Sequence, residues 1–226
     1  MTDKRHTDSE YEAELQRVRE NVLHMVGLVE DMIRDAVRSF VDRDTALAVE
    51  TVRMDQQVNR LEMETDDLCL VILAKRQPMA SDLRFITLSM KMVTDIERIG
   101  DLAVNVCERT LALAELGDTR PIPDTIPRMA DIARSMVRDA IDAFVNRDAA
   151  KAQDVWDRDS QLDELYLELC TATQARMSDD PALVQRGMHV QAVAKFLERI
   201  GDHATNLAEM VVFMVKGEDM RHIGKR

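Results

Sequence analysis

The sequence predicts an all-α protein, six helices forming two similar antiparallel three-helix bundles. Three observations predict it. Apolar residues recur at intervals of three and four, the period of a helix with one buried face. Aromatic residues make up only 4% of the chain against 15 methionines, a bias that suits helices better than sheets. Long stretches of the first half also return in the second: "MIRDAVRSFVDRDTALA" from Met32 matches "MVRDAIDAFVNRDAAKA" from Met136. Asp55, Val58 and Leu61 match Asp159, Leu162 and Leu165 in the same register, and "ERIGDLAVNVCE" from Glu97 matches "ERIGDHATNLAE" from Glu198 after a loop-sized deletion. A period of about a hundred residues is a duplicated domain rather than a solenoid repeat.

The elements follow in order. Leu15, Val18, Val22, Met25, Val26 and Val29 continue into Met32, Ile33, Val37 and Phe40 as one face of a long first helix, 9–42. Asp44 and Asp148 stand where N-caps belong, opening second and fifth helices over 45–75 and 149–177. Pro78 ends the second helix, and Ser81 or Asp82 is placed to cap a third over 81–115. "GDTRPIPDTIP" holds three of the five prolines and reads as a linker over 117–127, with a fourth helix over 125–145. Asp180 before Pro181 starts a sixth helix over 181–216. The expected domains are therefore 1–116 and 128–226.

Net charge of −12 argues against nucleic acid as a partner, because the surface repels phosphates. Cys69, Cys107 and Cys170 have no CxxC spacing and read as buried thiols in a reducing cytoplasm. The opening "MTDKRHTDSEYEAEL" offers no signal peptide, and the apolar run "MVVFMV" is far short of the ~18 residues of a membrane span. No phosphate loop, GxSxG, HExxH or Glu-x-x-His pair occurs, so no enzyme is expected.

The repeated acidic segment is the candidate site. At 100° per residue, Glu97, Asp101, Asn105 and Glu108 project within about 80° of one another, and Glu198, Asp202, Asn206 and Glu209 repeat the pattern. Like charges four residues apart cost a helix roughly 0.2–0.5 kcal/mol, which calls for a compensating cation. Arg98, Arg199 or Lys195 are protein candidates; a divalent or trivalent metal is the other. One ExxxD alone reads as a solvated face, whereas two copies with the same Asn and second Glu favour a metal. Asp55 and Glu64, with Asp159 and Glu168, are further candidate ligands. Gly100 and Gly201 each cost about 1 kcal/mol inside a helix and signal a close approach. His203 lies about 140° from Glu198, off the stripe, and reads as a surface or packing residue. Trp156 and the methionines read as core or subunit contact.

"QPMASDLR", "DIERIGDLAVNVCE", "LERIGDHATNLAEMVVFMVKGE" and the opening "YEAELQRVRENVLHM" resemble the PhoU family over nearly the whole length. The resemblance implies tandem three-helix repeats, usually in a homodimer, working in the cytoplasm and meeting the membrane only through partners. It implies a non-enzymatic negative regulator of phosphate-starvation signalling and phosphate uptake. Its partners would be the ATPase subunit of a phosphate ABC transporter and a phosphate-sensor histidine kinase. A sodium-phosphate cotransporter is an alternative partner. The resemblance also places metal at the ExxxD motifs, here Glu97 with Asp101 and Glu198 with Asp202; Asn105, Glu108, Asn206 and Glu209 extend the set by face geometry. All-oxygen sites accept iron, manganese, magnesium or, less characteristically, zinc. Asp95 stands where the second half has Phe196, so the two sites need not be equal. The alternative class is a carboxylate-bridged metalloenzyme or metal store.

Overall fold

In the computed structural model, six helices carry the chain: α1 (Thr2–Asp42), α2 (Thr45–Arg76), α3 (Ala80–Glu115), α4 (Thr125–Asn146), α5 (Ala149–Asp179) and α6 (Val184–Lys216). The structure describes residues 2–217, with side chains from Ser9 onward. The outer ends of both expected domains, residue 1 and residues 218–226, lie outside the described residues, as does Glu218 of the last family-like segment.

The α1–α2 and α4–α5 turns are the same turn written twice. Asp44 Oδ1 accepts from the Leu47 amide at 2.9 Å, and Asp148 Oδ1 accepts from the Ala150 and Lys151 amides at 3.0 Å. The residue before each cap, Arg43 at φ 60° and Arg147 at φ 53°, is left-handed. The next amide then reaches back to the Ser39 or Ala143 carbonyl, each at 2.9 Å, closing a Schellman motif without its usual glycine.

Two expected starts differ. Helix α3 begins at Ala80 with Met79 before it and no side-chain cap. Ser81 and Asp82 are already inside the helix, and Asp82 instead accepts from the Tyr11 hydroxyl at 3.1 Å, a contact 71 residues away. Asp180 does cap, accepting from the Ala182 amide, but the turn it opens is a 3₁₀ turn over Pro181–Leu183, and α6 begins after it.

Each half is a three-helix bundle, and the bundles sit side by side through α1 against α4 and α3 against α6. The result is a layer of four rods, α2, α3, α6 and α5, backed by α1 and α4. The two outer rods, α2 and α5, contact helices of their own half only. Met25, Phe40 and Ile99 in one half, and Met136 and Ile200 in the other, are wholly buried. At the seam the Phe85 and Phe144 rings stack with centroids 5.5 Å apart. His203 Nδ1 lies 2.7 Å from Asp95 Oδ1 across the α3–α6 contact, so the histidine expected at the surface or in packing makes a polar bond between halves. The register equivalents of this pair, Phe196 and Leu102, are apolar. Cys69 and Cys107 are buried as expected, with burial pushing each thiol up to about 12. Cys170 is partly exposed, because its position on α5 falls at the edge of the bundle contact.

Candidate functional site

Asp55 on α2 faces α3 where Gly100 leaves room: a Cβ on Gly100 would meet Asp55 Oδ1 at 3.7 Å and Val58 Cγ1 at 3.6 Å. The second half repeats this more tightly, with a Cβ on Gly201 falling 2.5 Å from Leu162 Cδ2 and 3.5 Å from Asp159 Oδ1. The two glycines thus let α2 and α5 bring a carboxylate up to the ExxxD face of the neighbouring rod.

Both clusters are electrostatically crowded. Burial and then the charge of Asp101 raise the Asp55 carboxyl above its ordinary range, although Asn59 donates to Asp55 Oδ2 at 2.8 Å. Glu97 is raised by burial and by Asp101, with Glu62 and Asp55 adding to the field and Arg98 opposing it. In the second cluster Asp159 is pushed up to about 6, first by burial, then by Asp163, Asp202 and Glu198, while the nearby Thr205 hydroxyl works the other way. The difference follows from sequence: Asp163 occupies the register position of Asn59 and Tyr166 that of Glu62, so each cluster has four carboxylates, but in the second the fourth stands one turn from Asp159 where the first has a neutral amide. The second cluster also carries its own counter-ion. Lys195 Nζ lies 2.5 Å from Glu198 Oε2 and 5.3 Å from the Tyr166 ring centroid. In the first cluster Arg98 lies 3.5 Å from both Glu97 and Asp101.

The predicted stripe separates in space. Glu97 and Glu108 are eleven residues apart, about 16 Å along the helix axis, so one ion cannot take both. Glu108 is exposed and pairs with Arg109 at 3.5 Å. Asn105 is half-buried, one turn beyond Asp101. Asn206 and Glu209 line a cavity of about 270 Å³ between α3 and α6, together with Lys91 and Asp95. Glu64 is exposed on α2 and Glu168 lines a different cavity, so neither joins the clusters. Sequence reasoning missed Asn59, Glu62 and Asp163. The signal was present for two of them, since Asn59 and Asp163 stand four residues after Asp55 and Asp159 on the same helix face.

Donor chemistry in both clusters suits a hard cation: all oxygen, no imidazole or thiolate. Asp55 Oδ1 and Asn59 Oδ1 are buried acceptors without a hydrogen-bond donor, the kind of orphan a cation would satisfy. Among the described residues, however, no three His, Cys, Asp or Glu side chains converge as a metal-binding set. The residues suit a hard ion in type and charge, but their side chains as placed do not form a coordination shell.

The PhoU domain family model matches residues 22–110 and 126–211. The chain belongs to the PhoU family. It is 40% identical to the phosphate-specific transport system accessory protein PhoU homolog of Pseudomonas putida over 219 residues, covering 97% of this chain and 86% of that one. The PhoU accessory protein of Escherichia coli K12 is 32% identical, covering 97% and 91%. The crystal structure of PhoU from Pseudomonas aeruginosa superposes with a TM-score of 0.88 at 39% identity, covering 92% of this chain and all of that one. A Streptococcus pneumoniae structure, described as the phosphate transport system regulatory protein PhoU, gives 0.85 at 25% identity, covering 92% and 98%. The PhoU match falls as two segments because the family domain is the repeat seen in the sequence. Among the described residues, no helix is long and apolar enough to cross a membrane.

One prediction belongs to the second cluster. The folded state holds the Asp159 proton up to about pH 6, against an ordinary value of 3.8, so stability from this group is full below that lower value and is lost as pH rises through 6. In chelator-treated protein, Asp159→Asn is expected to raise the melting temperature relative to the parent at neutral pH, with the gain shrinking below about pH 4. A gain of equal size at both pH values would show that charge is not the cause.

Proposed function

We propose that this chain is a cytoplasmic, homodimeric adaptor and not an enzyme. It restrains phosphate-starvation signalling and phosphate uptake by binding the ATPase subunit of a phosphate ABC transporter and a phosphate-sensor histidine kinase. Membership of a family whose members are named accessory proteins of phosphate-specific transport is the observation that carries this reading. An adaptor works by binding two states of a partner differently, and rigid paired bundles offer repeated faces for this. The metal reading is part of the proposal: a divalent or trivalent ion, iron, manganese, magnesium or zinc, held by Glu97 and Asp101 with Asp55, and by Glu198 and Asp202 with Asp159. When bound, such an ion supplies positive charge that relieves the crowding. The residues of the chain hold the carboxylates in place through Gly100 and Gly201 and leave Arg98 and Lys195 to balance what charge remains.

Two experiments bear on this. Deleting the gene is expected to raise starvation-gene expression in phosphate-rich medium, and the purified chain is expected to bind the ATPase subunit and the kinase. Unchanged expression together with binding to neither partner would refute the adaptor role. Elemental analysis of the purified protein is expected to show bound metal that falls to background in the Asp101→Ala, Asp202→Ala double variant. Equal metal content in both proteins would remove the ion from the proposal and leave the adaptor standing.

A further inference from the structure

Residues 120–124 of the segment joining the halves help to roof a cavity of about 630 Å³ over α5 and the start of α6. That size lies within the ~300–1,000 Å³ range of small-molecule sites. Three guanidinium side chains, Arg120, Arg176 and Arg186, line it. A fourth, Arg43, stands behind them and donates through Nη2 to the Arg120 carbonyl at 2.9 Å.

Such a gathering of positive charge runs against the net charge of −12 and against burial. Arg186 is 8% exposed; its Nε lies 3.0 Å from Asp118 Oδ2 and its Nη2 donates to the Pro121 carbonyl at 2.6 Å. Asp118 also faces Arg120 at 3.6 Å, so one carboxylate serves two cations. Nη1 of Arg43 is buried with no hydrogen-bond partner. Arg176 forms no ion pair with any described carboxylate within reach of the cavity. Helix α4 begins at Thr125 in the same wall with no side-chain cap, which adds the positive end of a 22-residue helix. These groups together ask for an anion.

The rest of the lining narrows its class. Ile122, Leu169 and Met177 make an apolar wall, and Asp124 and Glu168 place two acceptors beside it. An ion that is negative all round, such as sulfate or polyphosphate, would be repelled by those carboxylates and would leave the apolar wall wet. A molecule with a phosphate at one end, hydroxyl donors in the middle and a flat apolar body at the other matches all three surfaces. We propose that this cavity binds a nucleoside phosphate, the phosphate held by Arg120, Arg176 and Arg186 and the base laid against Ile122, Leu169 and Met177. The bound molecule ties the inter-repeat segment to α5 and α6 of the second half. This inference does not depend on the adaptor role.

The test is calorimetric titration of the full chain with AMP, ATP, adenosine and inorganic phosphate. AMP or ATP is expected to bind with Kd of about 1 mM or tighter, and adenosine and inorganic phosphate at least about tenfold more weakly. Arg176→Ala is expected to weaken nucleotide binding about tenfold, the worth of one charge-assisted contact, with an unchanged melting temperature because Arg176 is exposed and unpaired. Absence of binding by both nucleotides, equal affinity for inorganic phosphate, or unchanged affinity in Arg176→Ala would each overturn the assignment.

Discussion

Replacing Phe85 by Ala is expected to destabilise the protein by about 3–5 kcal/mol, the cost of deleting a buried aromatic side chain and leaving its cavity. Phe85 is 3% exposed, and its ring is where three helices meet. It comes from α3, stacks on Phe144 of α4 with 10° between the planes, and receives Arg19 of α1 at 4.9 Å from its centroid. The stack contributes about 0.5–1.5 kcal/mol beyond burial, and the guanidinium contact somewhat less. The loss therefore falls on the seam between repeats as well as on the first bundle. Urea denaturation should show it directly. Phe85→Leu, which keeps much of the volume and loses the stack, is expected to cost roughly half as much. A Phe85→Ala loss below about 1 kcal/mol would mean that the seam contributes little to stability.

Arg186→Met is expected to cost a similar amount, about 3–5 kcal/mol, for a different reason. Arg186 and Asp118 are each only 10% exposed at the side chain, and burial alone would push the guanidinium below its usual range. Asp118 opposes that shift, while Arg120 and Arg176 add to it. Removing the arginine strands Asp118 in a poorly solvated site and frees the Pro121 carbonyl, with Arg120 at 3.6 Å as partial relief. Removing both charges, Arg186→Met with Asp118→Asn, is expected to restore much of the loss, because the penalty comes from an unmatched ion rather than from the missing attraction. Additive losses in this cycle would contradict that account.

Local signals were legible in the sequence. Asp44 and Asp148 marked two helix starts because an Asx side chain satisfies amides two or three residues ahead, a relationship contained in adjacent residues. The start of α3 was misread because Asp82 is engaged by Tyr11, whose proximity depends on how α1 lies across α3. The side-by-side placing of the bundles was unreadable for the same reason. It rests on contacts such as Asp95 with His203 and Glu30 with Arg138, each 108 residues apart. The candidate site was half legible. Angular projection grouped Glu97 with Glu108 correctly in direction but discarded rise, which is what separates them along α3. The duplicated glycines pointed to a close neighbour without naming it, and that neighbour is α2 or α5, through Val58 and Asp55 in one half and Leu162 and Asp159 in the other.

The arrangement of four rods backed by two has a mechanical corollary. Because α2 and α5 pack only on helices of their own half, a disturbance of either outer rod is borne by that half's bundle and leaves the α3–α6 joint untouched. Asp55 rides on one outer rod and Asp159 on the other. Each acidic cluster is thus divided between a peripheral rod and the central joint, and a change of charge in one half strains that half alone.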